Sequence, residues 1–329
     1  MAKQIVVSGV RPTGELHLGN YLGAIKQFVE LQGEYKTFFF IADLHAITEP
    51  QNPEKLPKQI LDVAALYLAC GLDPKKTTLF IQSQIPEHLE LEHILGTLTP
   101  VGELNRMTQY KDKIQEGKPA NFGIFAYPVL MAADILIYNA DLVPVGEDQR
   151  QHLEFARTIA RKFNSRYGKT FKEPKALLQK GGARIMGLDD PTKKMSKSAK
   201  SPNNYIGLLD RPEEIRRKIK IAVTDSGKKI KFNPEQKPAI SNLLSIASLL
   251  GNLPISELEK KYRGKGYGEF KADLAELLVK KLSPLQEKYR AFAKNPKTLE
   301  KILESGAKKA RLTAEKTMKE VRRKIGLLD

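Results

Sequence analysis

Tryptophan is absent from the 329 residues, and cysteine occurs once. Without tryptophan, fluorescence excited beyond tyrosine absorption must come from a bound molecule and not from the 11 tyrosines. A lone Cys70 excludes a disulfide within the chain, a cysteine-rich zinc site and an iron–sulfur cluster. Five scattered histidines suggest no metal cage, so no protein-held metal is expected. No apolar run approaches the roughly 20 residues of a membrane span. The N-terminus leads directly into a strand pattern, so the expectation is a cytoplasmic protein with no membrane partner. Acidic residues are in deficit, 38 against 55 Lys and Arg, giving a formal charge of +17. That imbalance points to a polyanionic partner, or else to a lysine-rich surface kept for solubility. There is no Arg-Gly repeat or aromatic-interleaved basic tract, so any RNA contact would come from a folded surface.

The length allows a sizeable core and two domains, and a hydrophobic content of 41% is ordinary for a globular chain. The first half alternates strand and helix patterns, as in a parallel sheet covered by helices. Strands are expected at 5–8, 37–42, 78–82 and 142–145. Helices are expected at about 20–32, 54–70, 86–99, 101–115 and 125–139, with another starting at an Asp148 N-cap. Residues 37–42 are almost continuously apolar, as a strand buried on both faces should be. After Ser198 the pattern turns helical, with start signals at Asp210-Arg211-Pro212-Glu213 and breaks at Gly251, 264–268 and Asn295-Pro296. Lys308, Lys309, Arg311, Arg322, Arg323 and Lys324 make the far end basic. The expected fold class is α/β: a Rossmann-like parallel-sheet nucleotide-binding domain over 1–204, with a helical insertion at about 101–140, then an all-helical domain over 205–329.

Two segments carry chemistry. Residues 11–23 read Arg-Pro-Thr-Gly-Glu-Leu-His-Leu-Gly-Asn-Tyr-Leu-Gly, running from a strand through a glycine-rich turn into a helix. Such a unit offers free backbone N–H groups and the positive end of a helix dipole to phosphate. Residues 194–198 read Lys-Met-Ser-Lys-Ser, two ammonium groups and two hydroxyls within five residues. They suit a loop that follows charge as pyrophosphate departs. Taken singly both signals are weak: a glycine-rich turn is commonly just a turn, and lysine clusters are usually solvated faces. Their spelling and order change that. His17-Leu18-Gly19-Asn20 resembles the HIGH signature and Lys194–Ser198 is a KMSKS, about 175 residues apart, so the chain resembles the class I aminoacyl-tRNA synthetases.

The resemblance extends over essentially the whole chain and is similar in detail to the tryptophanyl-tRNA synthetase family. Asp43-Leu-His-Ala-Ile-Thr, Tyr127-Pro-Val-Leu-Met-Ala-Ala-Asp134, Val143-Pro-Val-Gly-Glu-Asp-Gln149, Gly182-Ala-Arg-Ile-Met and Gly264-Lys-Gly-Tyr-Gly carry it. The residues agree. Tyr127, Met131 and Asp134 sit at i, i+4 and i+7, on one helix face. A carboxylate in an apolar wall is expensive unless something donates to it. An indole N–H is a donor with no acceptor capacity, so Asp134 is its natural partner. The plainer alternative is an Asp134 that caps or ion-pairs within the core. In the resembled family the helix aspartate reads the indole N–H.

The tyrosyl-tRNA synthetases share the fold and signatures. That family places a glutamine where this chain has Met131, and a first-strand tyrosine where it has Val7. Both differences favour the larger indole. The absence of tryptophan would let a tryptophan-starved cell still translate such an enzyme.

What the resemblance implies is a tryptophan--tRNA ligase using L-tryptophan, ATP and tRNA(Trp). By resemblance Arg11, Pro12, Thr13, His17, Gly19 and Asn20 contact ATP, and Gly146, Glu147, Asp148 and Ile185 frame the adenosine. Lys194, Met195, Ser196, Lys197 and Ser198 close over the triphosphate, with Lys197 the best candidate for transition-state charge and Lys113 a further cation. Tyr127, Met131, His45 and Gln149 complete the amino-acid pocket around Asp134; His45 also reads as a core-facing histidine after a strand. Magnesium is expected on the triphosphate oxygens. A homodimer and anticodon recognition by the helical domain follow from the same resemblance. Two positions depart from the pattern. Asn20 replaces the second HIGH histidine and cannot carry a proton charge, which puts any acid role there in doubt. Arg11 stands where many relatives have glutamine. Rival readings are a tyrosyl-tRNA synthetase, a small-molecule nucleotidylyltransferase, and a catalytically inactive RNA-binding paralogue.

Overall fold

The computed structural model describes residues 3–12, 16–108, 110–111, 121–146, 149–177, 184–197, 199–227 and 229–328. Five strands, β1 (Ile5–Val10), β2 (Lys36–Ile41), β3 (Thr77–Ile81), β4 (Leu142–Pro144) and β5 (Lys175–Leu177), pair in parallel in the order β3-β2-β1-β4-β5. Register runs from Ile5 opposite Lys36 to Val10 opposite Ile41, and from Thr37 opposite Thr77 to Ile41 opposite Ile81. The apolar β2 run alternates as pleating requires. Phe38 and Phe40 enter one core while Phe39 and Ile41 enter the other. Four of the strands lie where the sequence pattern puts them. The fifth, β5, has three residues, too few to show a period, and is defined by pairing with β4.

Helices α1 (Lys26–Glu34) and α2 (Leu56–Ala69) cover one face of the sheet. Helices α3 (Glu87–Gly96), α4 (Phe122–Leu136) and α5 (Arg150–Tyr167) cover the other. Beyond them come α6 (Pro212–Ile221), α7 (Pro238–Gly251), α8 (Tyr267–Ala293) and α9 (Pro296–Ile325). Helix α8 packs on α2 and α6, continuing the first core. No single helix among the described residues is long and apolar enough to cross a membrane.

Local chemistry shifts several elements from their expected places. The helix after Gly19 begins with a short turn at Leu18–Asn20 and then a π-helical turn at Tyr21–Ile25, where Lys26 N–H reaches back to the Tyr21 carbonyl. A π turn is one residue wider per bond than α and leaves no periodicity to read. Of the helix expected over 101–115, Val101–Leu104 is helical, whereas residues 109 and 112–120 lie outside the described set. Asp210 does not cap α6. Arg211 holds the N-cap position, and Asp210 Oδ2 accepts from Gly207 N–H at 2.9 Å and Lys218 Nζ at 2.7 Å.

The last helix returns to the sheet. Leu299 and Leu303 of α9 enter the first core and Ala310, Ala314, Met318 and Val321 the second, so the helix lies across edge strand β3. An edge strand is a liability unless covered, and α9 covers this one. Gly306 permits the approach: a Cβ there would sit 1.8 Å from the Leu79 carbonyl oxygen. Arg311 Nε then meets Glu87 Oε1 at 3.0 Å and Arg322 Nε meets Glu90 Oε1 at 2.7 Å, tying α9 to α3. Gly306→Ala should therefore push α9 off β3 and cost about 1–3 kcal/mol, as overpacking against fixed backbone does. Urea unfolding measures it; a midpoint equal to wild type would show that α9 does not seat on β3.

Candidate active site

Strand order reverses direction between β1 and β4, and their carboxyl ends diverge there, the usual ligand position in an open parallel sheet. A cavity of about 480 Å³ opens at that point, floored by Ser8, Gly9 and Val10 of β1 and by Val143, Val145 and Gly146 of β4 and the loop after it. Gly9 is required by crowding, since a Cβ would lie 2.5 Å from the Phe40 ring.

At one end the structure brings the two signature segments together. Residues 16–18 are laced to 206–208, with Leu18 N–H donating to the Ile206 carbonyl at 2.8 Å and Leu208 N–H to the Leu16 carbonyl at 3.0 Å. Residues 185–187 pair in turn with 193–195: Met195 N–H donates to the Ile185 carbonyl at 2.9 Å and Gly187 N–H to the Lys193 carbonyl at 2.8 Å. Asn204 accepts from Ser196 N–H at 2.8 Å and donates to Asp189 at 2.5 Å, fixing the loop's root. A Cβ on Gly19 would stand 3.6 Å from the Met195 Cβ, so the glycine turn and the lysine loop are in contact.

His17 sits between them as half of a reciprocal cap. Gly19 N–H donates to its Nδ1 at 3.1 Å, and its own N–H donates to Asn20 Oδ1 at 3.0 Å. Burial, then the charges of Lys194 and Lys197, push the imidazole down to about 4. It is neutral near pH 7, with Nδ1 accepting and the proton on Nε2. Asn20 uses its amide oxygen in the cap and lines the cavity beside Arg11, Gly23 and Lys194.

The other end is built around Asp134, 1% exposed. His45 Nε2 meets its Oδ2 at 2.8 Å, His88 Nδ1 meets its Oδ1 at 2.5 Å, and Gln82 Nε2 donates to both oxygens at 2.8 and 2.9 Å. Burial alone would raise the carboxyl, but the hydrogen bonds from His45 and His88 outweigh it and hold it down at about 2. The group is an anion that can only accept. Tyr127, Met131, His45 and Gln149 line the same cavity around it, with Val7 and Phe40 as apolar wall. The Tyr127 hydroxyl is 2.5 Å from His152 Nε2, an interior partner that no sequence spacing announces.

All five residues expected in the amino-acid pocket therefore converge. Of the expected nucleotide residues, Arg11, Asn20, Gly146 and Lys194 line the cavity, and His17 and Gly19 border it. Pro12 and Ile185 are buried, as is Met195; their part is to hold the backbone, while Ser196 and Lys197 stand on the loop beyond the cavity wall. Thr13, Lys113, Glu147, Asp148 and Ser198 lie outside the described residues. Sequence reasoning missed Gln82, just after β3, and His88 of α3, which bond Asp134 directly, and Tyr138, just beyond α4, which meets His88. The only signal they left was polarity inside apolar stretches. Among the described residues no group of three or more His, Cys, Asp or Glu side chains could hold a metal ion. Burial pushes the Cys70 thiol up to about 12, which disfavours the nucleophilic thiolate.

Comparison with known proteins agrees with this geometry. A family model described as tRNA synthetases class I (W and Y) matches residues 2–283. The chain is 52% identical to the Tryptophan--tRNA ligase of Bacillus subtilis (strain 168), over 99% of this chain and 98% of that one. Its fold matches the crystal structure of tryptophanyl-tRNA synthetase from Mycoplasma pneumoniae with a TM-score of 0.91 and 36% identity, covering 100% of this chain and 99% of that one. Against the Campylobacter jejuni tryptophanyl-tRNA synthetase complexed with ADP and tryptophane the TM-score is 0.85 at 41% identity, covering 98% and 100%. With both signatures meeting at the sheet's switch point and a buried carboxylate facing them across one cavity, the chain belongs to the class I tRNA synthetases, in the tryptophan--tRNA ligase family.

Proposed function

We propose that this cavity activates L-tryptophan with ATP, giving tryptophanyl-adenylate and pyrophosphate, and that the chain then transfers tryptophan to the terminal adenosine of tRNA(Trp). The observation that carries it is the buried, ionised Asp134 at one end of a cavity whose other end is Asn20 and Lys194. The tryptophan and ADP named for the Campylobacter jejuni relative support the same two ligands here.

In that reaction an oxygen of the tryptophan carboxylate bonds to the α-phosphorus as the bond to the β-phosphate oxygen breaks. The substrate supplies the nucleophile, so the protein works by positioning and charge stabilisation. Asp134 takes the indole N–H, Met131 and Val7 face the ring, and Tyr127, His45 and Gln149 close the pocket. A smaller side chain would leave a void and gain nothing from the carboxylate, so selection needs no editing step. Arg11, Thr13, the 17–20 turn and Gly146–Asp148 take the nucleotide. The Lys194–Ser198 loop meets the triphosphate, with Lys197 following the charge onto departing pyrophosphate and Lys113 adding to it. Neutral His17 has its Nε2 proton to donate to phosphate. Magnesium accompanies the triphosphate on its oxygens, supplying charge neutralisation when bound.

Residues 1–204, including the segment at about 101–140, are assigned to catalysis and 205–329 to anticodon recognition, in a cytoplasmic homodimer. Three of the six basic residues at the far end are engaged internally: Arg311 and Arg322 with α3, and Lys324 with the Lys169 carbonyl and the Thr170 hydroxyl. Lys308, Lys309 and Arg323 are exposed and are the ones assigned to RNA phosphate.

Tryptophan alone among the twenty amino acids should support ATP–pyrophosphate exchange at full rate; faster exchange with tyrosine would overturn the assignment. Lys197→Ala should slow activation by ~10²–10³ with tryptophan affinity nearly unchanged, as for a contact made mainly in the transition state. Loss of affinity with turnover retained would contradict that role. The His17 imidazole, followed by ¹⁵N NMR, should stay neutral until the pH falls to about 4. Its folded value lies below the unfolded one, so its contribution makes stability rise with pH between about 4 and 6.5. Protonation near 6.5 in the folded protein would contradict the burial of His17 beside the two lysines.

A further inference from the structure

His88 touches nothing in the cavity, yet it is the most enclosed partner of the residue that reads the substrate. It is fully buried, with its ring edge-on to Phe40 and Phe80 at centroid distances of 6.0 and 6.3 Å. Its Nδ1 lies 2.5 Å from Asp134 Oδ1 and its Nε2 lies 2.7 Å from the Tyr138 hydroxyl. An ionised carboxylate can only accept, so Nδ1 carries the proton. In a neutral imidazole Nε2 must then accept, and Tyr138 O–H is its donor. Burial, with Asp134 and Glu87 nearby, keeps that phenol protonated by raising it well above its ordinary range. A donor chain therefore runs from Tyr138 through His88 to Oδ1.

The two carboxylate oxygens are not equivalent. Oδ1 is held by His88 and Gln82, both fully buried and neither part of the cavity wall. Oδ2 is shared by Gln82 with His45, which lines the cavity and has a side chain 14% exposed. Resting on the reading that Asp134 meets the indole N–H, we propose that His88, with its tautomer set by Tyr138, is a positioning residue for tryptophan recognition. It holds Oδ1 from behind, so that Oδ2 is the oxygen presented to the substrate, and His45 is the donor the indole N–H displaces. Helix α3 is a firm base for this, because Glu87 and Glu90 on either side of His88 are anchored by Arg311 and Arg322 of α9. The ionisable groups facing Asp134 are His45, His88, Tyr138 and Glu92, and Glu87 faces Tyr138 in turn. The Glu92 carboxyl is raised by burial and by the Asp134 charge.

The test compares full-length wild type, Tyr138→Phe, His88→Asn and His88→Leu, using tryptophan and its benzothiophene analogue, in which sulfur replaces the indole N–H. Wild type should prefer tryptophan by about tenfold or more, the worth of a charge-assisted bond. His88→Leu should raise the tryptophan KM while leaving kcat within a few fold. It should also erase most of the preference and move the acid limb of tryptophan binding to higher pH, because the carboxylate has lost a donor to its charged form. Asparagine keeps a donor near the Nδ1 position, so His88→Asn should restore much of the preference. Tyr138→Phe, nearly isosteric and thus expected to fold, should act in the same direction more weakly. An unchanged preference and acid limb in Tyr138→Phe and in whichever His88 variant folds would overturn the proposal, since a packing role predicts lost stability only. A wild type with no preference would instead overturn the reading of Asp134 itself, and His88's role with it.

Discussion

A negative charge buried at the centre of a small α/β domain demands donors, and here they arrive from separate places in the chain. Asp134 stands on α4; His45 follows β2, Gln82 follows β3, and His88 lies on α3. An unpaired carboxylate in such a place would cost several kcal/mol. The ends of two strands and two helices are thus fixed relative to one another by one side chain. The Phe38 ring stacks on Tyr138 at 4.6 Å, joining the same knot to the middle of the sheet. The anion assigned to the substrate in our proposal also helps to hold the pocket in shape. A pocket whose recognition group is structural can be selective, because a ligand without a donor gains nothing from it.

The phosphate end is built on the opposite principle, from backbone and cations. Residues 16–20 and 185–197 are each bonded through the main chain to 204–208, and the side chains they send to the cavity are Asn20 and Lys194. Burial, with help from the two lysines that suit a triphosphate, keeps His17 neutral, so the turn presents hydrogen-bond donors without a third formal charge. In the proposed reaction, Asp134 governs specificity and the charge of the lysine loop governs rate. The last helix adds a further dependence. It crosses edge strand β3 and clamps α3, so the C-terminal end of the chain supports the pocket from behind.

Much of this was legible in the sequence, and the reasons are physical. The apolar runs of β1 to β3 are long enough to show burial on both faces, and the i, i+4, i+7 spacing put Tyr127, Met131 and Asp134 on one face before any coordinates. Family resemblance carried His45 and Gln149, which no periodicity marks. What stayed hidden had no periodic signature: a three-residue strand, a π turn, and Gln82, His88 and Tyr138, whose partners are 46–52 residues away. Charge counting misled in one respect. Arg311 and Arg322 count toward the basic far end, yet they pair with Glu87 and Glu90 on another helix, a match visible only once the helix is seen to fold back.

The most direct measurement uses tryptophan labelled with ¹⁵N at the indole nitrogen, bound to the protein and observed through its own N–H resonance. With Asp134 as acceptor, the bound indole proton should move well downfield of its position in free tryptophan and exchange slowly with water. In Asp134→Asn it should move back toward the free position. A bound indole proton that stays at the free position in wild type, or one that is unchanged in Asp134→Asn, would contradict the assignment of Asp134 as the group that reads tryptophan.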